Sequence, residues 1–318
     1  MRAWRVERLG EPEEALRLAE AEMPEPADGQ VLVRVKAVAL NFPDVLMCRG
    51  QYQVRPPLPF TPGVELCGEI VNPLGGRGHR VIGSPVLPHG GLAEYALMNE
   101  AEALPAPPGM DDAEASGFLI AYQTGWFGLH RRAGLKAGET LLVHAAAGGV
   151  GSAAVQLGKA AGARVIAVVG GPEKAEVARA LGADVVIDRR EQDFVAAVKE
   201  VTGGRGVDVI FDPVGGDAYT GSSKCVAFEG RIIVVGFAGG AIPAPQLSHA
   251  LVKNYSIVGL HWGLYRQYDP QSIVDAHHDL MKLGLKPLVG GCFPLEAAAE
   301  GLTRLAAGES VGRLVVQL

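Results

Sequence analysis

The sequence predicts an α/β protein: a doubly wound parallel sheet joined to a β-rich domain that is discontinuous along the chain. Three observations carry this. From Thr140 onward, near-continuous apolar strands alternate with helical segments, the pattern of parallel strands covered on both faces. Before residue 120, short β-like runs are separated by Pro/Gly clusters. After residue 260, two helical segments lead to a final strand, RLVVQL, placed to return to the first domain. With 318 residues, 48% of them apolar, the chain can build about two domains. The expected division is 1–120, 121–260, and 261–318 returning to the first.

In order along the chain, QVLVRVKAVAL (30–40), GVELCGEIV (63–71), HRVIGSPV (79–86) and GLAEYALM (91–98) read as antiparallel strands joined by long loops. Pro105-Ala106-Pro107-Pro108-Gly109 reads as a stiff connector, and Asp111 three residues before Glu114 as a capping box that opens a helix. The second domain follows as TLLVHA, a helix over 150–161, RVIAVV, a helix over 172–181, DVVID, a helix over 191–201, VDVIFD, a helix over 217–227, RIIVVGF and YSIVGL. Helices over 270–283 and 295–307 precede the closing strand.

A net charge of −6, with no local Lys/Arg run, offers no face for a phosphate backbone and argues against nucleic acid as the main partner. The opening MRAWRVERLGEPEE has no apolar core of a leader, and no stretch approaches the roughly 20 apolar residues that cross a bilayer. A soluble, cytoplasmic protein without a membrane partner is expected. Cys48, Cys67, Cys225 and Cys292 lack CxxC spacing, which points to reduced thiols rather than a disulfide framework or a cysteine zinc site.

Ala146-Ala147-Gly148-Gly149-Val150-Gly151 fits the G-x-G-x-x-G fingerprint with alanine in the first place. It follows a strand and opens a helix inside a βαβ unit, the context of a Rossmann dinucleotide site. Gly148 lets the backbone approach a pyrophosphate, Gly151 lets helix and strand pack closely, and the helix N-terminus offers N–H groups and partial positive charge. Ala147, Gly149 and Val150 complete the cofactor-binding turn.

Where RVIAVV ends, an Asp or Glu would accept the 2′-hydroxyl of an NAD ribose and repel a 2′-phosphate. Gly170 and Gly171 stand there instead. Lys174 just beyond, and Arg189 after the third strand, can hold a phosphate by charge-assisted hydrogen bonds, so NADPH is the expected cofactor. Taken singly, either cation also reads as an ordinary solvated charge, and Glu173 and Asp188 stand beside them.

HAAAGGVG, followed by VQLGKAAGARVIAVVG and LGADVVID, resembles the quinone oxidoreductase branch of the medium-chain dehydrogenase/reductase superfamily, the branch that includes zeta-crystallin. LNFPD (40–44), LPFTPGVELCGEIV (58–71), AYQTGW (121–126), FDPVGGD (211–217) and KNYSIVGLHWG (253–263) extend the resemblance over nearly the whole chain. It implies a split GroES-like catalytic domain, a Rossmann domain, a cleft between them and a homodimer. It also implies reduction of a quinone or another α,β-unsaturated carbonyl by NADPH. An enoyl-thioester or 2-alkenal reductase is the alternative chemistry, and a non-catalytic NADPH-binding protein, structural or RNA-binding, the alternative of another class.

Zinc-dependent relatives carry a cysteine in the early loop and a histidine in a G-H-E triplet; this chain has Asn41-Phe42-Pro43-Asp44 and Gly63-Val64-Glu65. Valine has no ligand atom, and the stretch 72–79 is too short for the four-cysteine lobe, so no metal is expected. The resemblance assigns catalytic positions to Asn41, as a neutral donor to the acceptor oxygen, to Asp44 and to Tyr52. The Tyr52 phenol serves either as proton donor or as pocket wall. Cofactor contacts fall on Thr124, whose alternative is helix packing, and on Val214, Phe237, His261 and Trp262. Two departures stand out: Gly171 replaces a frequent Ser or Thr, and Arg189 replaces a frequent tyrosine.

Overall fold

Runs of consecutive apolar residues fix the nucleotide-type unit. Leu141 to Val143, Val165 to Ala167 and Val209 to Phe211 are all fully buried. Adjacent residues of a strand point to opposite faces, so both faces of this sheet must be covered. The computed structural model describes residues 1–71 and 78–318; of the stretch expected to be too short for a cysteine lobe, 72–77 lie outside the described residues. The chain divides into two units, one of residues 120–285 and one of 1–119 with 286–318.

In the unit 120–285, Thr140–His144, Arg164–Val169, Val185–Asp188, Val207–Asp212, Val226–Val234 and Ser256–Gly259 form a six-stranded sheet. Every pairing is parallel. Numbered along the chain, the strand order is 3-2-1-4-5-6, the doubly wound order that puts ligands at the carboxyl ends of the strands, where the order reverses. Helices Gly149–Ala160, Pro172–Ala180, Phe194–Val201 and Gly216–Cys225 make the crossovers.

Local chemistry moves some boundaries. The third of these helices starts at Phe194 rather than 191, because the Asp193 side chain accepts from Val195 N and caps it there. The fifth strand begins at Val226, ahead of the expected RIIVVGF, and carries an irregular register opposite Val207–Val209. Leu247–Lys253 is a helix that the apolar pattern did not announce.

The expected return to the first domain at 261 is corrected to Lys286. Trp262 Nε1 donates to Gln123 Oε1 (3.0 Å), and Gln123 Nε2 donates to the Ile273 carbonyl (2.9 Å). Ile273, Ala276 and Leu280 of helix Pro270–Lys282 are buried. These bonds bind 261–285 to the helix Leu119–Trp126, which continues as a π-helical stretch over Phe127–Arg132.

In the other unit, the strands run in the order Val289–Pro294, Arg313–Gln317, Gln30–Ala39, Leu66–Ile70, Arg80–Gly83, Leu104–Pro105, and Tyr95–Asn99 also pairs with Gln30–Ala39. Val315 to Gln317 pair antiparallel with Ala37 to Ala39, so the last strand closes on one of the first. A hairpin of Arg2–Val6 and Leu16–Glu20 is an addition to the strands expected from sequence. The capping box forms as predicted: Asp111 Oδ1 accepts from Glu114 N (2.8 Å) and Glu114 Oε2 from Asp111 N (3.1 Å). Cys48, Cys67 and Cys225 are buried, Cys292 is exposed, and all four are free. Among the described residues no helix is long and apolar enough to cross a membrane.

Candidate functional site

The glycine turn is built by contact between backbones. Ala145 leaves the first strand with φ 49°, a conformation that L residues rarely hold, and its carbonyl accepts from Gly148 N at 2.8 Å. The helix starts at Gly149 with Gly148 as N-cap. A Cβ on Gly151 would collide with the Ala145 carbonyl oxygen and lie 2.8 Å from its carbon. Only glycine lets the helix pack this closely on the strand. Ala147 is buried, while Gly148, Gly149 and Val150 are partly exposed at the helix end, where first-turn N–H groups have no partner within the helix.

The neighbouring strand end is the acid-free position. Gly170 follows Val169, and Gly171 has φ 104°. Asp188, at the end of the adjacent strand, turns inward: its Oδ1 accepts from Gly171 N (2.9 Å) and Arg190 N (3.0 Å). Those two backbone bonds, followed by the nearby arginine charges, hold the Asp188 carboxyl below its ordinary value. A side chain on Gly170 would sit 3.4 Å from the Arg189 guanidinium, and one on Gly171 would sit 3.0 Å from Arg190 Nη1. Sequence reasoning named Arg189 and missed Arg190; the signal was the second cation of Asp188-Arg189-Arg190, directly opposite the glycine pair. Lys174 lies partly exposed in the first turn of helix Pro172–Ala180.

The loops after the fourth and fifth strands interlock. Buried Asp212 accepts from Val214 N (2.8 Å) and Gly215 N (3.0 Å) through one oxygen. Val214 O in turn accepts from Gly239 N (3.0 Å), and a Cβ on Gly215 would sit 2.8 Å from the Phe237 ring. Val214 and Phe237 therefore share one loop cluster at the carboxyl edge of the sheet. Thr124 is buried in its helix. The pair 261–262 separates: His261 is exposed, whereas Trp262 is buried and pinned to Gln123. His144 is core; its Nε2 lies 2.8 Å from Ser222 Oγ, and burial pushes it down to about 4 against the opposing pull of the Asp212 charge.

The other unit holds a buried polar cluster around Asn41, Asp44, Glu65 and Arg313, each no more than 4% exposed. Asn41 caps the helix Phe42–Cys48. Its Nδ2 donates to the Ala39 carbonyl (3.0 Å) and Glu65 Oε2 (2.9 Å), and its Oδ1 accepts from Arg313 Nη1 (3.0 Å). Both amide hydrogens are thus engaged within this unit, which braces the start of the helix. Arg313 also pairs with Glu65, and its buried Nε has no hydrogen-bond partner among the described residues.

Asp44 ties two loops together. Oδ2 accepts from Asn41 N (2.9 Å), and Oδ1 accepts from Gly63 N (2.8 Å) and Val64 N (3.1 Å). Burial raises its carboxyl to about 6, against the opposing pull of the three N–H donors and the Arg313 charge. Tyr52 lies beyond the helix, half-buried against this unit's apolar core. Burial, then the Asp44 charge, pushes its phenol above the ordinary value. The segment before it is fastened by the Arg49–Glu11 pair (2.9 and 2.8 Å) and by Gln51 N donating to Leu46 O (2.8 Å).

Known proteins share both halves. A family model for the alcohol dehydrogenase GroES-like domain matches residues 27–108, and one for zinc-binding dehydrogenases matches residues 149–276. The quinone oxidoreductase-like protein 2 homolog of Nematostella vectensis is 38% identical over 299 residues, covering 90% of this chain and 81% of its own. The quinone oxidoreductase of Homo sapiens is 31% identical over 326 residues, covering 100% and 98%. The quinone oxidoreductase of Thermus thermophilus, whose crystal structures include its complex with NADPH, superimposes with a TM-score of 0.86 at 33% identity, with both chains fully covered. With the fingerprint turn, the 3-2-1-4-5-6 sheet and the split β-rich unit all in place, the chain belongs to the quinone oxidoreductase-like family of medium-chain dehydrogenases/reductases.

Proposed function

We propose that the protein is an NADPH-dependent, metal-independent reductase of quinones or related α,β-unsaturated carbonyls. The observation that carries the cofactor is the strand end Gly170-Gly171: it has no outward acid, its nearest carboxylate is turned onto two backbone N–H groups, and guanidinium groups stand beside both glycines. That arrangement suits a dianionic 2′-phosphate and disfavours reliance on a ribose 2′-hydroxyl. When bound, NADPH supplies a hydride from its nicotinamide to an electrophilic carbon of the acceptor.

The chain's own residues bind and position. The 147–150 turn and its helix N-terminus suit the pyrophosphate, Lys174 and Arg189 the adenosine phosphate, and Val214 and Phe237 form the further loop contact. Thr124, His261 and Trp262 keep the cofactor-side roles expected of them, Trp262 by fixing the backbone beneath His261. In the other unit, Asn41 and Asp44 hold the early loop in place. Tyr52, whose phenol burial pushes above its ordinary value, meets the acceptor as wall or hydrogen-bond donor.

The residues do not fit a catalytic zinc. Val64 has no ligand atom, and Glu65 is engaged by Arg313 and Asn41. Among the described residues no group of three His, Cys, Asp or Glu side chains could hold a metal ion. A homodimer accords with the sheet's last strand, Ser256–Gly259, paired on one side only among the described residues, and with exposed Leu247, Leu251 and Val252 on the preceding helix; light scattering tests it.

The functional test is NADPH oxidation against naphthoquinones, short enals and crotonyl-CoA, compared by kcat/KM. The highest value for a quinone or simple enone supports the proposal. Preference for the thioester moves the protein to enoyl-thioester reduction, and no turnover with any acceptor refutes a catalytic role.

A further inference from the structure

We infer that Arg190, acting beside Arg189, is a specificity-determining residue for the cofactor's 2′-phosphate, and that its guanidinium takes the place of the side chain that Gly171 lacks. The inference rests on the NADPH reading above. Arg189 and Arg190 leave the third strand in succession, and Arg189 N donates to Val169 O, so the two turns are laced at their base. Asp188 then fastens Gly171 N and Arg190 N to a single carboxylate oxygen, 2.9 and 3.0 Å away. This fixes which cation faces which glycine: Arg189 beside Gly170, Arg190 beside Gly171.

A serine or threonine at 171 would bring its Cβ to 3.0 Å from Arg190 Nη1, on a backbone with φ 104° that disfavours any side chain. A side chain at 171 and the guanidinium at 190 therefore crowd each other, and the exposed guanidinium would have to give way by a few tenths of an ångström. This chain holds the guanidinium, with several N–H donors where a hydroxyl offers one. Both arginines are exposed, and among the described residues neither side chain forms an ion pair or hydrogen bond. Their donors remain open to a ligand. The phosphate of the adenosine ribose is the cofactor's dianionic group that belongs at the second strand's end, and two adjacent forks can meet it from two sides.

The test is calorimetric titration of the purified full-length protein with NADPH and with NADH, for wild type, Arg190→Ala, Arg190→Lys and Lys174→Ala. The residue is exposed and makes no packing contact in the core, so the variants should fold; thermal melts check this. Arg190→Ala is expected to weaken NADPH by about 10- to 100-fold, the worth of a charged hydrogen-bond pair, while NADH changes less than about twofold. Arg190→Lys should recover part of the loss. An NADPH-to-NADH affinity ratio unchanged in Arg190→Ala overturns the inference, and if that ratio collapses only in Lys174→Ala the lysine holds the phosphate alone. Failure of wild type to bind either nucleotide, or a preference for NADH, instead overturns the NADPH reading on which the inference stands.

Discussion

Asp44→Asn isolates a buried charge whose cost the structure defines. The wild-type carboxyl titrates near 6 in the fold and near 3.8 when exposed, because burial outweighs its three N–H donors. A raised folded value means that protonation favours the native state: the full contribution is present below 3.8 and is lost as pH rises through about 6. The difference between 3.8 and about 6 corresponds to about 3 kcal/mol. Asparagine keeps the oxygen toward Gly63 and Val64 but turns an N–H₂ toward Asn41 N, a pH-independent loss of about 1–3 kcal/mol. Urea unfolding of both proteins across this window separates the two effects. The variant should be the less stable at the acid end, and the stability difference should move in the variant's favour by about 3 kcal/mol toward neutral pH. A difference that stays flat with pH refutes the assignment of a buried, titrating Asp44.

Other outcomes follow from single contacts. Gly151→Ala drives a methyl into the Ala145 carbonyl; a loss of about 1–3 kcal/mol and weaker dinucleotide binding are expected, read by thermal melts and titration. Arg313→Met removes the charged partner of buried Glu65 and should cost about 3–5 kcal/mol, with much of it regained in Arg313→Met/Glu65→Gln under urea unfolding. Trp262→Phe strands Gln123 Oε1, for an expected loss of about 1–3 kcal/mol; a variant as stable as wild type would contradict the pinning role.

The nucleotide half was legible because its determinants are local. The consecutive apolar runs of three strands are buried on both faces, and Gly151 is demanded by the carbonyl of Ala145, a near neighbour in the chain. The helix Asp112–Ser116 was equally plain, since its capping box is contained in the span from Asp111 to Glu114. What escaped depends on side chains far apart in sequence. Gln123 reaches Trp262 and Ile273 across 139 and 150 residues, and those bonds, invisible to hydropathy, keep 261–285 in the nucleotide-type unit. The bonds that join Asn41 to Glu65 and Arg313, 24 and 272 residues away, are equally hidden. Arg190 was hidden by Arg189: two adjacent cations look alike until the glycine facing each is known.

The most direct measurement of the central claim is the rate of NADPH oxidation with a quinone acceptor before and after exhaustive chelation of the purified protein. Turnover with NADPH at an unchanged rate is expected, since no proposed step uses a metal. Absence of turnover, or a rate abolished by the chelator and restored by zinc, contradicts it.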